Sequence, residues 1–331
     1  MSLRICMIGC GSFARLCHGP AQRQLRASDP ELELAGCCDA DINRAREYCQ
    51  AFGFGRSYSD FAAMLSAERP GAVILAVPPA ATCGAASAVL ERGFPLLLEK
   101  PPGLGPDELG RLIAASGKGG AGAQVAFNRR HMPVMRRARE ILDGAFSPES
   151  VGRIEYEMVR FDRWDADFST AAIHALDAVL FLARSPVRSA ELRFQSQRSG
   201  DLEATNVTVD AECECGTRVA LNILPVSGAN LESAAVHALG QSLTIRIPVS
   251  PQSKGDGCVE LWRSDSLVSS FSDRGVGAVE RLGVLAETEA FLKSVRSGSP
   301  FFPRLQDCRQ QVALMESIRI RRSGPIDFGP C

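Results

Sequence analysis

A chain of 331 residues is long enough for about two domains of roughly 150 residues each. With 45% apolar residues, 23% charged residues and a net charge of −1, it reads as an ordinary water-soluble globular protein. No basic block marks a nucleic-acid or membrane-surface partner, and the longest apolar run, near Ala72–Val77, falls far short of the roughly 20 residues that span a bilayer.

The N-terminal MSLRICMIGCG goes straight into a strand and a glycine turn, without a signal-peptide pattern. Leu3–Ile8 reads as a strand, followed by Gly9-Cys10-Gly11-Ser12-Phe13-Ala14 and a helical pattern through Leu25. A G-x-G-x-x-A between strand and helix is the context in which the motif binds a dinucleotide. Gly9 makes the tight turn, Gly11 lets the backbone approach a pyrophosphate, and Ala14 keeps helix and strand close. Ser12 and Phe13 open a helix whose free N–H groups favour phosphate. A second strand, Leu32–Cys38, ends at Asp39, thirty residues after Gly9. A carboxylate there accepts from ribose hydroxyls and repels a 2′-phosphate, which favours NAD over NADP. Arg44 keeps NADP open.

The alternation continues. Ile42–Phe52 and Phe61–Ser66 read as helices, and Ala72–Val77 as a buried strand closed by Pro78-Pro79. Ala81–Arg92 reads as helix, Phe94–Leu98 as strand, Leu104–Ala115 as helix and Ala123–Phe127 as strand. This order predicts a parallel sheet covered on both faces, with ligands beyond the carboxyl ends of its strands. Pro78 ends one of those strands. Glu99 and Lys100 end another, where Pro101 and Pro102 bar any continuation. Lys100 is therefore expected in the cofactor crevice. The competing reading is a surface lysine at a turn. The X–Pro bonds here are candidates for the cis form.

After Asn128 the pattern changes. Arg153–Phe161 reads as strand and Asp167–Leu182 as helix. Val207–Cys215 alternates, with Val207, Val209, Ala211, Cys213 and Cys215 on one face; Val219, Leu221 and Ile223, then Leu243, Ile245 and Ile247, do the same. Such alternation predicts antiparallel strands with one wet face. Helices over Ala278–Ser297 and Leu305–Ile320 close the chain. The fold class is thus α/β, with domains at 1–127 and 128–331. In the helix at Asp167–Leu182, Asp167, Thr170, His174 and Asp177 are spaced to share one face. That polar stripe is either a binding face or a solvated one. Twelve cysteines lie scattered, with no C-x-x-C pair and no zinc spacing to the four histidines. They read as reduced, mostly buried thiols of a cytoplasmic protein with no metal site.

Together, GCGSFA at Gly9–Ala14, EKP at Glu99–Pro101, AFNRRHMP at Ala126–Pro133, IHALD at Ile173–Asp177 and SGSPFF…LQDC at Ser297–Cys308 resemble the glucose-fructose oxidoreductase / inositol dehydrogenase / MocA family. The resemblance covers essentially the whole chain in order. It implies a Rossmann domain followed by an α/β domain with an open, mostly antiparallel sheet, through which family members commonly form oligomers, here a homodimer or homotetramer. It implies hydride transfer between nicotinamide and a carbinol carbon of a sugar or cyclitol, with Lys100 as active-site lysine and His174 as catalytic or substrate-positioning histidine. A lysine serves as base once its pKa falls from about 10.4 toward about 7–8. Arg129 and Arg130 are candidates to hold substrate hydroxyls or a carboxylate. The chain also departs from the family pattern. Thr170 stands where dehydrogenases of this type often carry aspartate, DFSTAA replaces a glycine cluster, and Thr82 stands at a frequent histidine position. Asp167 is a substitute carboxylate for Thr170. Rival readings are an NAD-binding regulator without chemistry and an NAD-dependent glycoside hydrolase. A methyltransferase is opposed by EKP and the second domain.

Overall fold

The computed structural model describes residues 2–165, 167–250 and 255–329. The chain divides into two compact units. One runs to Asn128 and takes in Gly283–Val312; the other comprises Arg129–Leu282 and the chain from Ala313.

In the first unit, strands and helices alternate as β1 (Leu3–Ile8), α1 (Gly19–Ser28), β2 (Leu32–Cys38), α2 (Ile42–Phe52), β3 (Arg56–Tyr58), α3 (Phe61–Glu68), β4 (Ala72–Leu75), α4 (Pro79–Glu91), β5 (Leu96–Glu99), α5 (Pro106–Gly119) and β6 (Ala123–Ala126). The strands pair in parallel in the order β3-β2-β1-β4-β5-β6. The order reverses between β1 and β4, so a crevice opens there at the carboxyl ends of the strands. Ala72–Leu75 and Leu96–Leu98 have no solvent exposure, which requires cover on both faces and explains their unbroken apolar runs. Asp41 and Asp60 cap α2 and α3 by accepting from Asn43 N and Ala63 N.

The helix expected after the glycine turn runs over residues 12–28, with a change of winding near its start. Ala14–His18 is a π-helical turn, and α1 follows it. Gly19 is pressed against Phe52, whose ring would lie 2.4 Å from a Cβ at that position.

The second unit holds α6 (Pro133–Ala145), β7 (Val151–Val159), α7 (Ser169–Ala183), β8 (Val187–Ser199), β9 (Leu202–Cys213), β10 (Arg218–Leu224), β11 (Leu231–Ala238), β12 (Gln241–Arg246), β13 (Cys258–Arg263), β14 (Ser266–Ser272) and a short helix α8 (Ala278–Arg281). The chain closes with α9 (Val284–Ser297), α10 (Arg309–Arg319) and β15 (Gly324–Asp327). The larger sheet runs β14-β13-β12-β11-β7-β10-β9-β8-β15. Its pairs are antiparallel except β7 with β10. Ile154, Tyr156 and Met158 of β7 are buried, while Arg153, Glu155 and Glu157 between them face water. The expected alternation also holds at Val219, Leu221 and Ile223, which are buried. It fails at Cys215, which lies in the turn after β9 and is half-buried.

Three other expectations need correction. The second domain, 128–331, is not one continuous stretch. Phe291 and Leu292 of α9 pack in the core formed by Leu3, Ile5, Leu32 and Tyr48, and Val125 N donates to Pro303 O. The single helix expected over Ala278–Ser297 breaks at Gly283, whose φ of +76° is left-handed. The helix expected from Leu305 starts as a 3-10 turn, Leu305–Cys308, closed by reciprocal Arg304 and Asp307 bonds. Among the described residues, no helix is long and apolar enough to cross a membrane.

Gly9 gives the fold a direct test. Its φ is +93°, and a Cβ there would fall 2.0 Å from the carbonyl oxygen of Ala76. At Gly11 a Cβ would meet nothing within 4 Å. Gly9→Ala should therefore cost about 1–3 kcal/mol or more from backbone strain alone, and Gly11→Ala should stay within about 1 kcal/mol. Urea denaturation of both variants checks this; equal midpoints would refute it.

Candidate active site

The glycine turn is built by backbone contacts. Gly9 N donates to Cys38 O at 2.8 Å, tying the end of β1 to the end of β2. The close approach of Gly9 to Ala76 ties it to the end of β4. Ala14 is buried, whereas Ser12 and Phe13 are exposed at the mouth of the turn. Asp39, at the tip of β2, accepts from Cys10 N through Oδ2 at 2.8 Å and from Asp41 N through Oδ1 at 3.0 Å. Each oxygen keeps acceptor capacity for a further donor. A ribose diol fits that carboxylate, and the open face of Gly11 fits a pyrophosphate. Arg44 Nε lies 3.5 Å from Asp41 Oδ2, so its charge is partly answered in the first turn of α2. Pro78 caps α4, and Thr82, one turn on, is buried with its hydroxyl donating to Pro78 O at 3.4 Å.

The EKP segment lies in the same unit. β5 ends on Glu99, the Lys100–Pro101 bond is cis, and Lys100 is half-buried. Pro101, Pro102 and Gly103 are buried behind it. Glu99 meets a residue that the sequence reading passed over. His18 Nε2 lies 2.8 Å from Glu99 Oε1, and the imidazole is fully buried. A histidine four residues beyond Ala14 was the available signal. Gly9, Gly11, Ser12, Phe13, Ala14, Asp39, Pro78, Glu99 and Lys100 thus follow β1, β2, β4 and β5, adjacent strands of one sheet.

In the second unit, α7 carries Thr170 and His174, both half-buried, and Asp177, fully buried. Asp167 lies ahead of the helix, exposed, and accepts from Ser169 N through Oδ1. The stripe expected from Asp167 to Asp177 therefore begins at Thr170. Asp177 receives Arg130 in a two-pronged pair, at 2.9 and 2.6 Å. Arg129 makes the same pair with Glu232, at 2.5 and 2.8 Å, and Arg160 and the Tyr156 hydroxyl also donate to Glu232. Arg129 and Arg130 are each under 10% exposed. These guanidiniums, expected to hold substrate, bind internal carboxylates instead, because a buried cation without a paired anion is costly. Burial alone would raise the Glu232 carboxyl, but Arg129 and Arg160 outweigh it and hold it at about 2. Burial and the Glu232 charge push the Tyr156 hydroxyl well above its ordinary range.

The described cysteines carry free thiols, and burial raises Cys38 to about 12. Among the described residues, no group of three histidine, cysteine or acidic side chains could hold a metal ion.

Comparison with known proteins bears on the fold of the chain. Residues 3–127 match the model of the Gfo/Idh/MocA oxidoreductase family, an NAD-binding Rossmann fold. A D-apiose dehydrogenase of Paraburkholderia graminis is 28% identical over 249 residues, covering 69% of this chain and 64% of that protein. The match thus spans just under two thirds of that relative's length. Among solved structures, a Gfo/Idh/MocA family oxidoreductase from Vibrio cholerae superposes with a TM-score of 0.79 at 20% identity, over 97% of this chain and 98% of that one. A levoglucosan dehydrogenase, in complex with NADH and levoglucosan, gives 0.81 at 17% identity over all of both chains. At these identities the structures speak for the fold.

The Glu232 cluster makes stability depend on pH. Its folded value of about 2 lies below the ordinary 4.5, so its contribution is whole above pH 4.5. It declines as pH falls from 4.5 toward 2. Glu232→Gln should cost about 3–5 kcal/mol at neutral pH and flatten the acid limb of the unfolding curve. An unchanged acid limb would refute the assignment.

Proposed function

With a first domain that is the NAD-binding Rossmann fold of the Gfo/Idh/MocA oxidoreductases, we propose that the chain transfers hydride between NAD and a carbinol carbon of a sugar or sugar derivative. The observation that carries this reading is the common origin of glycine turn, Asp39 and Lys100 at the carboxyl ends of neighbouring parallel strands. The sugar dehydrogenases among the relatives support the substrate class.

The backbone at Gly11–Phe13 holds the pyrophosphate, and the Asp39 carboxylate accepts from the ribose hydroxyls. NAD, when bound, supplies the hydride acceptor. Lys100, at the end of β5 and half-buried, takes the proton of the substrate hydroxyl as its carbon is oxidised. His174, on α7, is assigned the handling of substrate hydroxyls that its motif implies. Thr170 has no acid–base role near neutrality, so it is assigned to hydrogen bonding. Arg129, Arg130 and Asp177 are assigned to supporting α7 and the sheet through their ion pairs.

The chain is further assigned to a cytoplasmic homo-oligomer. The sheet face on which Arg153, Glu155, Arg246 and Glu260 line a shallow groove supports the oligomer. Mixed charges of this kind can pair across a two-fold axis. Sedimentation at the mass of a single chain would refute oligomerisation.

A fluorescence titration with NADH and NADPH, followed by a sugar and polyol panel, tests the main reading. NADH should bind at least about tenfold more tightly than NADPH, because Asp39 opposes a 2′-phosphate. Lys100→Met should leave NADH affinity within about twofold and lower turnover by about 10²–10⁴. Binding without turnover on any substrate would favour a regulator. Retained turnover in Lys100→Met would overturn the role of the lysine.

A further inference from the structure

The glycine turn and the EKP segment are joined by a bond that neither motif announces. The His18 Nε2–H donates to Glu99 Oε1 at 2.8 Å. The tautomer follows from the carboxylate, which accepts and does not donate. Both side chains are well buried, His18 fully and Glu99 to about nine-tenths. His18 Nδ1 is also buried, with no hydrogen-bond partner among the described residues. Leaving that nitrogen unmatched costs free energy. The buried ring is thus tied to its surroundings through Nε2.

The backbone around His18 is arranged for this reach. Ala14–His18 forms a π-turn, in which Gly19 N donates to Ala14 O. A π-turn fits an extra residue into the helix and re-aims the side chains it carries, and such turns concentrate at functional sites. The turn has little slack at either end. Phe13 sets its ring edge-on to His18, with centroids 5.5 Å apart and an interplanar angle of 82°. At the other end Gly19 is pressed against the Phe52 ring.

Lys100 follows Glu99 directly, at the bend where β5 ends, so the bond that anchors Glu99 also constrains the backbone from which Lys100 leaves. We propose that His18 is a positioning residue for Lys100: it holds Glu99 from the cofactor-side helix and so sets the placement of the lysine. This rests on the reading of Lys100 as the group that takes the substrate proton. It adds a mechanical link between the segment that receives the pyrophosphate and the one that carries the base.

The test reads Lys100 directly and needs no substrate. Lysines of the full chain are acetylated with acetic anhydride across a pH series, and site-specific rates are obtained by mass spectrometry. The exposed Lys118 and Lys293 serve as internal standards. In His18→Leu the Lys100 rate should change at least threefold, or its titration midpoint move by at least half a pH unit, with the standards unchanged. His18→Gln, which keeps a donor near the Nε2 position, should return Lys100 to wild-type behaviour. Glu99→Ala breaks the bond from its other end and should reproduce the His18→Leu profile, so the question stays answerable if His18→Leu does not fold. A wild-type Lys100 profile in folded His18→Leu or Glu99→Ala would overturn the proposal. So would a folded His18→Gln that behaves like His18→Leu. If Lys100 proves dispensable for turnover while these shifts appear, the catalytic reading fails and the positioning stands.

Discussion

The first unit depends on one close approach, that of Gly9 to the carbonyl of Ala76. A side chain at Gly9 would separate the end of β1 from the end of β4. Those strands flank the point where the sheet order reverses, and the crevice exists because their loops diverge from it. The amide of Gly9 reaches Cys38 O and that of Cys10 reaches Asp39. The position of the acidic tip of β2 thus follows from the same turn. The π-turn and His18 then carry the constraint across to β5.

Local features of this unit were legible because their causes are local. A strand buried on both faces reads as an apolar run, and a left-handed residue as glycine. His18 was not legible. Its place depends on a π-turn, which is out of phase with the helical period used to read side-chain faces, and its partner stands 81 residues away. The short β3 was missed because three residues carry no period. β8 was missed because charged residues punctuate its alternation.

The second unit shows the opposite error. Arg129 and Arg130 looked available because arginine usually is. Their partners lie 103 and 47 residues away, so the sequence held no hint that the charges were answered internally. Asp177 belonged to the polar stripe by spacing, and its true neighbour is Arg130. Spacing gave the helix face correctly for Thr170, His174 and Asp177, and misjudged what that face meets. Asp167 was misplaced because the helix starts two residues later than its pattern suggests.

The return of Gly283–Val312 to the first unit bears on how the chain can be made. Phe291 and Leu292 share a core with Leu3 and Ile5, although nearly the whole sequence separates them. A ribosome that has released residues 1–128 has delivered the sheet and the nucleotide cradle but has yet to supply the helix that seals one side of that core. The N-terminal domain is therefore among the last parts to be completed. A fragment ending at Asn128 would expose an apolar face where α9 belongs, and would invite aggregation in place of nucleotide binding.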